Sequence, residues 1–467
     1  MKSTTSKNYI QPPYKTKDYI YNNLDTFLNK SMKIIMFTAP SSNSGKTIIT
    51  LGIIRALKNK GLDVSPFKTG PDFIDTKYLA MAAKKSAGNL DIHMMGKDGL
   101  KDALSMNMGD IAIVEGAMGY FDGIYNTYEN SSFDIGRSLN IPAVLVYSPK
   151  GEMFSAIPKI KGMVEFKDSN IKAIILNKTS EPMYNLFKEQ IEKYIGIEVL
   201  GYIPKDEDLE VNTEILGLDL SKGDEFLEYI GEKVSKTIDL DKLMDLCNHI
   251  YISPYTYPKK RNIKIAIAYD EAFNFYYKEN LNLLENICKV EYFSPLKDKS
   301  IPKVDLIYIG GGYPEEYRNK LSQNKAMVKG LKDLGEKGQY IIGESGGLMY
   351  LTDSIEESSM VGLLKGKCKT TNKLQRFGYV NIKLQKDCIL GEVGNKIFAQ
   401  EYHKSTLETK SEEIFHINKP MSTREWSCGY RYKNVLGYYQ HINFLGNMEV
   451  LNHILDKLEN KGEVGCI

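Results

Sequence analysis

The chain has 467 residues, 42% of them hydrophobic and 26% charged, with a formal net charge of +2. That length exceeds what one hydrophobic core supports and points to two or three domains, and the near-neutral balance gives no signal for nucleic acid. The six cysteines lack paired spacing, so neither a disulfide frame nor a zinc site is expected, and no apolar run approaches the roughly 20 residues of a membrane span. A cytoplasmic chain with no membrane partner is the expectation.

Residues 1–31 are polar and tyrosine-rich and read as an N-terminal extension, with room for a short helix over 19–28. The first credible strand is Lys33-Ile34-Ile35-Met36-Phe37. It runs into Thr38-Ala39-Pro40-Ser41-Ser42-Asn43-Ser44-Gly45-Lys46-Thr47, and Ile49, Ile53 and Leu57 follow at helical spacing. Strand, small-residue turn, Gly-Lys-Thr and helix are the setting of a phosphate-binding loop. Backbone N–H groups at the helix start wrap phosphates, Lys46 meets the outer oxygens and the Thr47 hydroxyl ligates magnesium. Pro40 replaces the usual first glycine, and Asn43 stands where a tight loop often needs positive φ. The plainer reading, a serine-rich turn capping a helix, leaves the Gly-Lys-Thr run unexplained.

Strands are expected at 33–38, 63–68, 110–116, 142–147, 171–176 and 198–203, alternating with helical patterns. This rhythm predicts an α/β domain over 32–252 with a mostly parallel sheet and ligands at the strands' C-terminal ends. Asp72 and Asp75 follow the second strand, and Glu115 ends the third. A carboxylate at a strand end beside a phosphate loop supplies the hard oxygen that magnesium needs. Either residue alone would read as a helix cap or a surface charge; together behind Gly-Lys-Thr, Asp72 and Glu115 read as metal ligands. Asn177 ends another strand, where its amide can meet an adenine edge or simply form a turn. One or two helices are expected over 222–250, then a proline-rich, charged linker over 253–262.

A second α/β rhythm fills 263–467. Val304 to Ile309 runs into Gly310-Gly311-Gly312, and Tyr340-Ile341-Ile342 runs into Gly343-Glu344-Ser345-Gly346-Gly347. The latter reads as a nucleophile elbow, whose glycines let strand and helix close up and whose central side chain, Ser345, is exposed for attack. The Gly310–Gly312 loop offers further N–H donors for an oxyanion. His441 follows a strand-like stretch and is the candidate base. The bland counterparts are a glycine-rich turn and a core histidine.

Taken in order, these stretches resemble the cobyrinic acid a,c-diamide synthase family, glutamine-dependent amidotransferases of corrinoid biosynthesis. The resemblance covers roughly residues 33–460. It includes 39–47, 67–75, Asn89-Leu90-Asp91 with Met94-Met95-Gly96, 114–123, 269–277, 310–315, 374–379, 400–405 and Cys428-Gly429-Tyr430-Arg431. It implies an N-terminal amidoligase domain similar to dethiobiotin synthetase, and a C-terminal class I glutamine amidotransferase-like domain. ATP with Mg²⁺ would phosphorylate the a- and c-acetate carboxylates of cobyrinate, and ammonia, free or from glutamine, would displace phosphate. By matching position, Asn43, Ser44, Gly45, Lys46 and Thr47 bind phosphate, Thr47, Asp72 and Glu115 hold the metal, Asp75 faces the substrate and Asn177 meets adenine. Nickel sirohydrochlorin and hydrogenobyrinate are the alternative substrates, and a homodimer is allowed.

The family's glutaminase nucleophile is cysteine, and Ser345 stands in its place. A hydroxyl is less readily ionised than a thiol and less nucleophilic. Three readings stay open: the chain draws on free ammonia, Ser345 works with His441, or the serine is an introduced change that traps bound glutamine. Two readings from other classes compete. A serine hydrolase or amidase built on Ser345 and His441 would leave the phosphate loop without a purpose, and a non-catalytic ATP-binding regulator would leave Lys46, Thr47, Asp72 and Glu115 without one.

Overall fold

The structure, a computed structural model, describes residues 30–206, 209 and 220–460. The expected helix over 19–28 and Cys466 lie outside the described residues. Two compact units divide the chain, one of 30–92 with 97–255, the other of 93–96 with 256–460, within the described residues.

In the first unit the strands are β1 (Lys30–Thr38), β2 (Val64–Thr69), β3 (Gly88–Leu90), β4 (Ile111–Glu115), β5 (Ala143–Tyr147), β6 (Ile171–Asn177), β7 (Glu198–Ile203) and β8 (Asn248–Ile252). Seven of them form a parallel sheet in the order β3-β2-β4-β1-β5-β6-β7. Every residue of β2, β4 and β5 is buried, as a parallel sheet covered on both faces requires. β8 pairs antiparallel with the first half of β1, Lys30 against Ile252 and Ile34 against Asn248. One or two helices are expected over 222–250. The helices Leu220–Thr237 and Leu240–Asp245 are present, but the segment ends in this strand, because β1 leaves its N-terminal edge open to a partner some 218 residues away.

The phosphate loop is carried by the helix Lys46–Asn59, which packs on Leu220–Thr237: at Gly52 a Cβ would lie 2.6 Å from the Val234 side chain. Arg55, fully buried on that helix, donates to the carbonyls of Met81 and Ala82 and pairs with Asp224 and Glu228. A buried guanidinium with every contact to a carbonyl or carboxylate fixes the helix along its length.

In the second unit β9 (Lys264–Ala268), β10 (Lys289–Phe293), β11 (Leu306–Ile309) and β12 (Tyr340–Glu344) are parallel in the order β10-β9-β11-β12, and Val435–Tyr438 continues them. Antiparallel strands extend this into a mixed sheet of ten that ends with His441–Ile442. The strand expected over 304–309 begins at Leu306, and the elbow strand runs through Glu344.

Candidate functional site

In the first unit the expected loop has the expected backbone. Asn43 has φ 61° and Gly45 φ 86°, the left-handed conformations that turn N–H groups inward ahead of the helix. The side chain of Asn177, at the end of β6, donates to the Ser44 carbonyl at 2.9 Å. It lies so close that a Cβ on Gly45 would sit 2.0 Å from its Nδ2. Beside it opens a cavity of about 440 Å³ lined by Asn43, Gly45, Lys46, Thr47, Asn177 and Pro204, within the size range of small-ligand sites.

Two strand-end groups, Lys68 and Glu115, and two helix-start groups, Thr47 and Asp75, form one cluster behind the loop. Thr47 Oγ1 donates to Glu115 Oε1 at 2.6 Å. Lys68 donates to the same oxygen at 2.9 Å and also pairs with Asp75. Glu115 is fully buried, and its second oxygen, Oε2, has no hydrogen-bond partner among the described residues. Burial raises its carboxyl above the usual carboxylate range, against the opposing charge of Lys68. Burial acts to lower Lys68 as well, but Glu115 and Asp75 outweigh it and hold the ammonium firmly protonated. Lys46 donates to the Met118 carbonyl at 2.7 Å, and burial, then the nearby charge of Lys68, pushes it down to about 8.

These groups also pass the chemical test for a divalent cation. A buried carboxylate oxygen without a partner is a polar group that ordinarily demands one, and it stands beside the Thr47 hydroxyl. Asp72 is differently engaged. Its Oδ1 accepts the N–H groups of Ile74 and Asp75, each at 2.8 Å, and so closes the turn that leads into the helix Asp75–Ala83. Burial, with the neighbouring Asp75 charge, raises its carboxyl. Asn89, buried, ties down this turn through the carbonyls of Gly70 and Asp72.

Lys68 was not singled out from the sequence. A signal existed: it is a lysine inside an otherwise continuous buried strand, and a lysine is seldom fully buried unless paired.

In the second unit Ser345 has φ 53° and ψ −107°, the strained geometry of a nucleophile elbow, between β12 and the helix Gly346–Leu351. Its N–H donates to the Tyr438 carbonyl at 2.7 Å. The Gly310–Gly312 loop packs on the elbow: a Cβ on Gly347 would meet the Ile309 carbonyl at 2.0 Å, and one on Gly346 the Gly312 nitrogen at 3.2 Å. Of the donors expected there, the Gly310 N–H is already taken by the Tyr276 hydroxyl at 2.8 Å. His441 joins the same cluster, its Cε1 lying 2.5 Å from where a Gly311 Cβ would be. The backbone just after it is held by buried Asn280, which accepts from the Phe444 N–H and donates to the Ile442 carbonyl, both at 2.7 Å. Glu344, beside the nucleophile in sequence, lies 3.0 Å from His441 Nδ1 through Oε1 and also went unremarked in the sequence.

Comparison with known proteins divides the chain at the same place. Residues 35–215 match the CobQ/CobB/MinD/ParA nucleotide binding domain, and residues 264–448 match the CobB/CobQ-like glutamine amidotransferase domain. The sequence is 41% identical to the cobyrinate a,c-diamide synthase of Clostridium tetani over 91% of this chain and 100% of that one. It is 42% identical to the protein of the same name from Clostridium acetobutylicum, with the same coverage. Identity is 38% to that of Caldanaerobacter subterraneus subsp. tengcongensis, over 92% of this chain and 99% of that one.

Proposed function

The chain belongs to the cobyrinate a,c-diamide synthase family, and we propose that it amidates the a- and c-acetate carboxylates of cobyrinate at the expense of ATP. Nitrogen comes from glutamine or free ammonia. The observation that carries this reading is the cluster behind the phosphate loop, in which Thr47 and buried Lys46, Lys68 and Glu115 converge and one carboxylate oxygen has no partner among the described residues.

A carboxylate is a poor electrophile, so it is first phosphorylated, and ammonia then displaces phosphate from the acyl phosphate. Little covalent work falls to the protein; it positions the groups and stabilises charge on the transferring phosphoryl group. Loop N–H groups and the Lys46 ammonium take that charge on the nucleotide side. Lys68, held protonated between Glu115 and Asp75, is the cation placed to meet the accepting carboxylate, and Asp75 orients it. Magnesium, when bound with the nucleotide, screens the phosphate oxygens, and Thr47, Glu115 and Asp72 are the residues assigned to hold it. Asn177 is assigned to the adenine edge, with the cavity beside it as the nucleotide's seat.

The test is incubation with cobyrinate, ATP–Mg²⁺ and either glutamine or ammonium, followed by product mass. The expected result is sequential conversion to a diamide with ADP and phosphate released. Absence of any amide with ammonium as donor would overturn the reading.

A further inference from the structure

We propose that Glu344 is the positioning residue of the glutaminase centre, holding His441 by Nδ1 so that Nε2 serves the nucleophile at position 345. The inference rests on the amidotransferase reading of the second unit.

The acid of such a centre must accept a hydrogen bond from the base, be shielded from water and be fixed itself. Glu344 meets each requirement. Its Oε1 lies 3.0 Å from His441 Nδ1, and both side chains are 3% exposed. Because a carboxylate oxygen accepts, Nδ1 carries the proton. Its Oε2 accepts from the Tyr308 hydroxyl at 3.1 Å and lies 3.4 Å from the Ile442 N–H, so the carboxylate cannot swing. The Cε1–Nε2 edge of the imidazole faces Gly311, Nε2 lying 3.4 Å from where a Cβ would stand, and that loop packs on Gly346 and Gly347 beside the nucleophile. The acid is therefore supplied by the residue preceding the nucleophile, 97 residues before the histidine. Register explains how: β12 pairs with Val435–Tyr438, Glu344 opposite Tyr438, three residues short of His441.

With this arrangement the hydrolytic step balances without a further reactant. The Ser345 Oγ–C bond forms at the glutamine carboxamide as the hydroxyl proton passes to His441. The C–N bond breaks as His441 returns that proton to the departing ammonia. Water then cleaves the γ-glutamyl ester through the same histidine, releasing glutamate and restoring the hydroxyl.

The groups facing the carboxylate besides His441 are the phenols of Tyr308, Tyr438 and Tyr276. Burial holds all three far above their ordinary value, so none titrates near neutrality.

The experiment compares Glu344→Gln, Glu344→Asp and the unsubstituted chain, each with Ser345 and each with Ser345→Cys. Two readouts are taken on the full-length protein. The first is amidation from glutamine against amidation from ammonium. Glu344→Gln is expected to lower the glutamine-dependent rate by about 100-fold or more, toward the penalty seen when a triad acid is neutralised, while the ammonium-dependent rate stays within about twofold. Glu344→Asp should recover part of the loss. The second readout needs no glutaminase activity: the pH profile for alkylation of the thiol introduced by Ser345→Cys. Glu344→Gln should move it to higher pH by about one unit, because the imidazolium partner of the thiolate has lost its counter-charge. An unmoved alkylation profile, or equal loss from both nitrogen sources, would overturn the assignment. Failure of ammonium-dependent amidation in the unsubstituted chain would count against the ligase reading instead.

Discussion

Lys68 and Glu115 are register partners on the adjacent parallel strands β2 and β4, and their side chains meet at 2.9 Å with the carboxylate fully buried. The pair sits at the C-terminal ends of both strands, directly behind the helix that Lys46 opens. Neither charge would be tolerated there alone, since an isolated buried ion carries a desolvation penalty of several kcal/mol. Their pairing is what allows a cation and an incompletely satisfied carboxylate to coexist in the floor of the site.

Replacing Lys68 by methionine should remove the cation proposed to meet the accepting carboxylate and, with it, the charge that steadies Glu115. Lys68 is the largest of the influences that lower the Glu115 carboxyl against burial, ahead of the Thr47 hydroxyl, so its removal raises that carboxyl further. The protonated form of Glu115 is then favoured further, and ammonium-dependent turnover should fall by about 100-fold or more. Expressed relative to the unsubstituted chain, the Glu115 part of the deficit should shrink as pH rises. Steady-state rates over a pH series check this, and a deficit that is flat with pH would contradict the coupling.

Lys46→Ala should abolish amidation from either nitrogen source, by about 1,000-fold or more, because both routes share the phosphoryl transfer. A binding effect accompanies it. Lys46 is pushed down to about 8, so in the empty site it loses its proton above that pH, whereas bound phosphate favours the ammonium. Nucleotide binding above about pH 8 must then take up a proton, and affinity should fall by up to about tenfold per pH unit. Calorimetry in buffers of different ionisation enthalpy measures the uptake directly.

Ser345→Cys should raise glutamine-dependent turnover by about tenfold or more and leave the ammonium-dependent rate unchanged. The elbow backbone, the Gly310–Gly312 loop and His441 are all in place around position 345, and a thiol is the better nucleophile there. The ratio of the two rates, before and after substitution, is the measurement.

Gly347→Ala should have the opposite signature. An added Cβ would lie 2.0 Å from the Ile309 carbonyl, a backbone atom that cannot step aside cheaply. Strain of about 1–3 kcal/mol is expected in the second unit, visible as a lower unfolding midpoint in urea, with loss of glutamine-dependent but not ammonium-dependent turnover.

Much of this was legible in one dimension. The strands expected at 171–176 and 198–203 appear as Ile171–Asn177 and Glu198–Ile203, because continuous apolar runs broken by helical periods leave a parallel sheet few alternatives. Asn43 could be assigned a left-handed backbone since few residues accept one in a tight loop. The Ser345 elbow was equally plain from its glycines, although the Ile309 carbonyl that excludes a side chain at Gly347 comes from the neighbouring strand β11.

What linear order settled, then, was most of the parallel strands, the helices between them and the sharp turns, because those follow from spacing and backbone preference within a dozen residues. Folding alone settled which side chains meet: Lys68 with Glu115, Asn177 with Ser44, Glu344 with His441, and β8 with the open edge of β1. Each of these contacts spans 47 or more residues and depends on strand order and register, quantities chosen by burial of the whole sheet rather than by any local pattern.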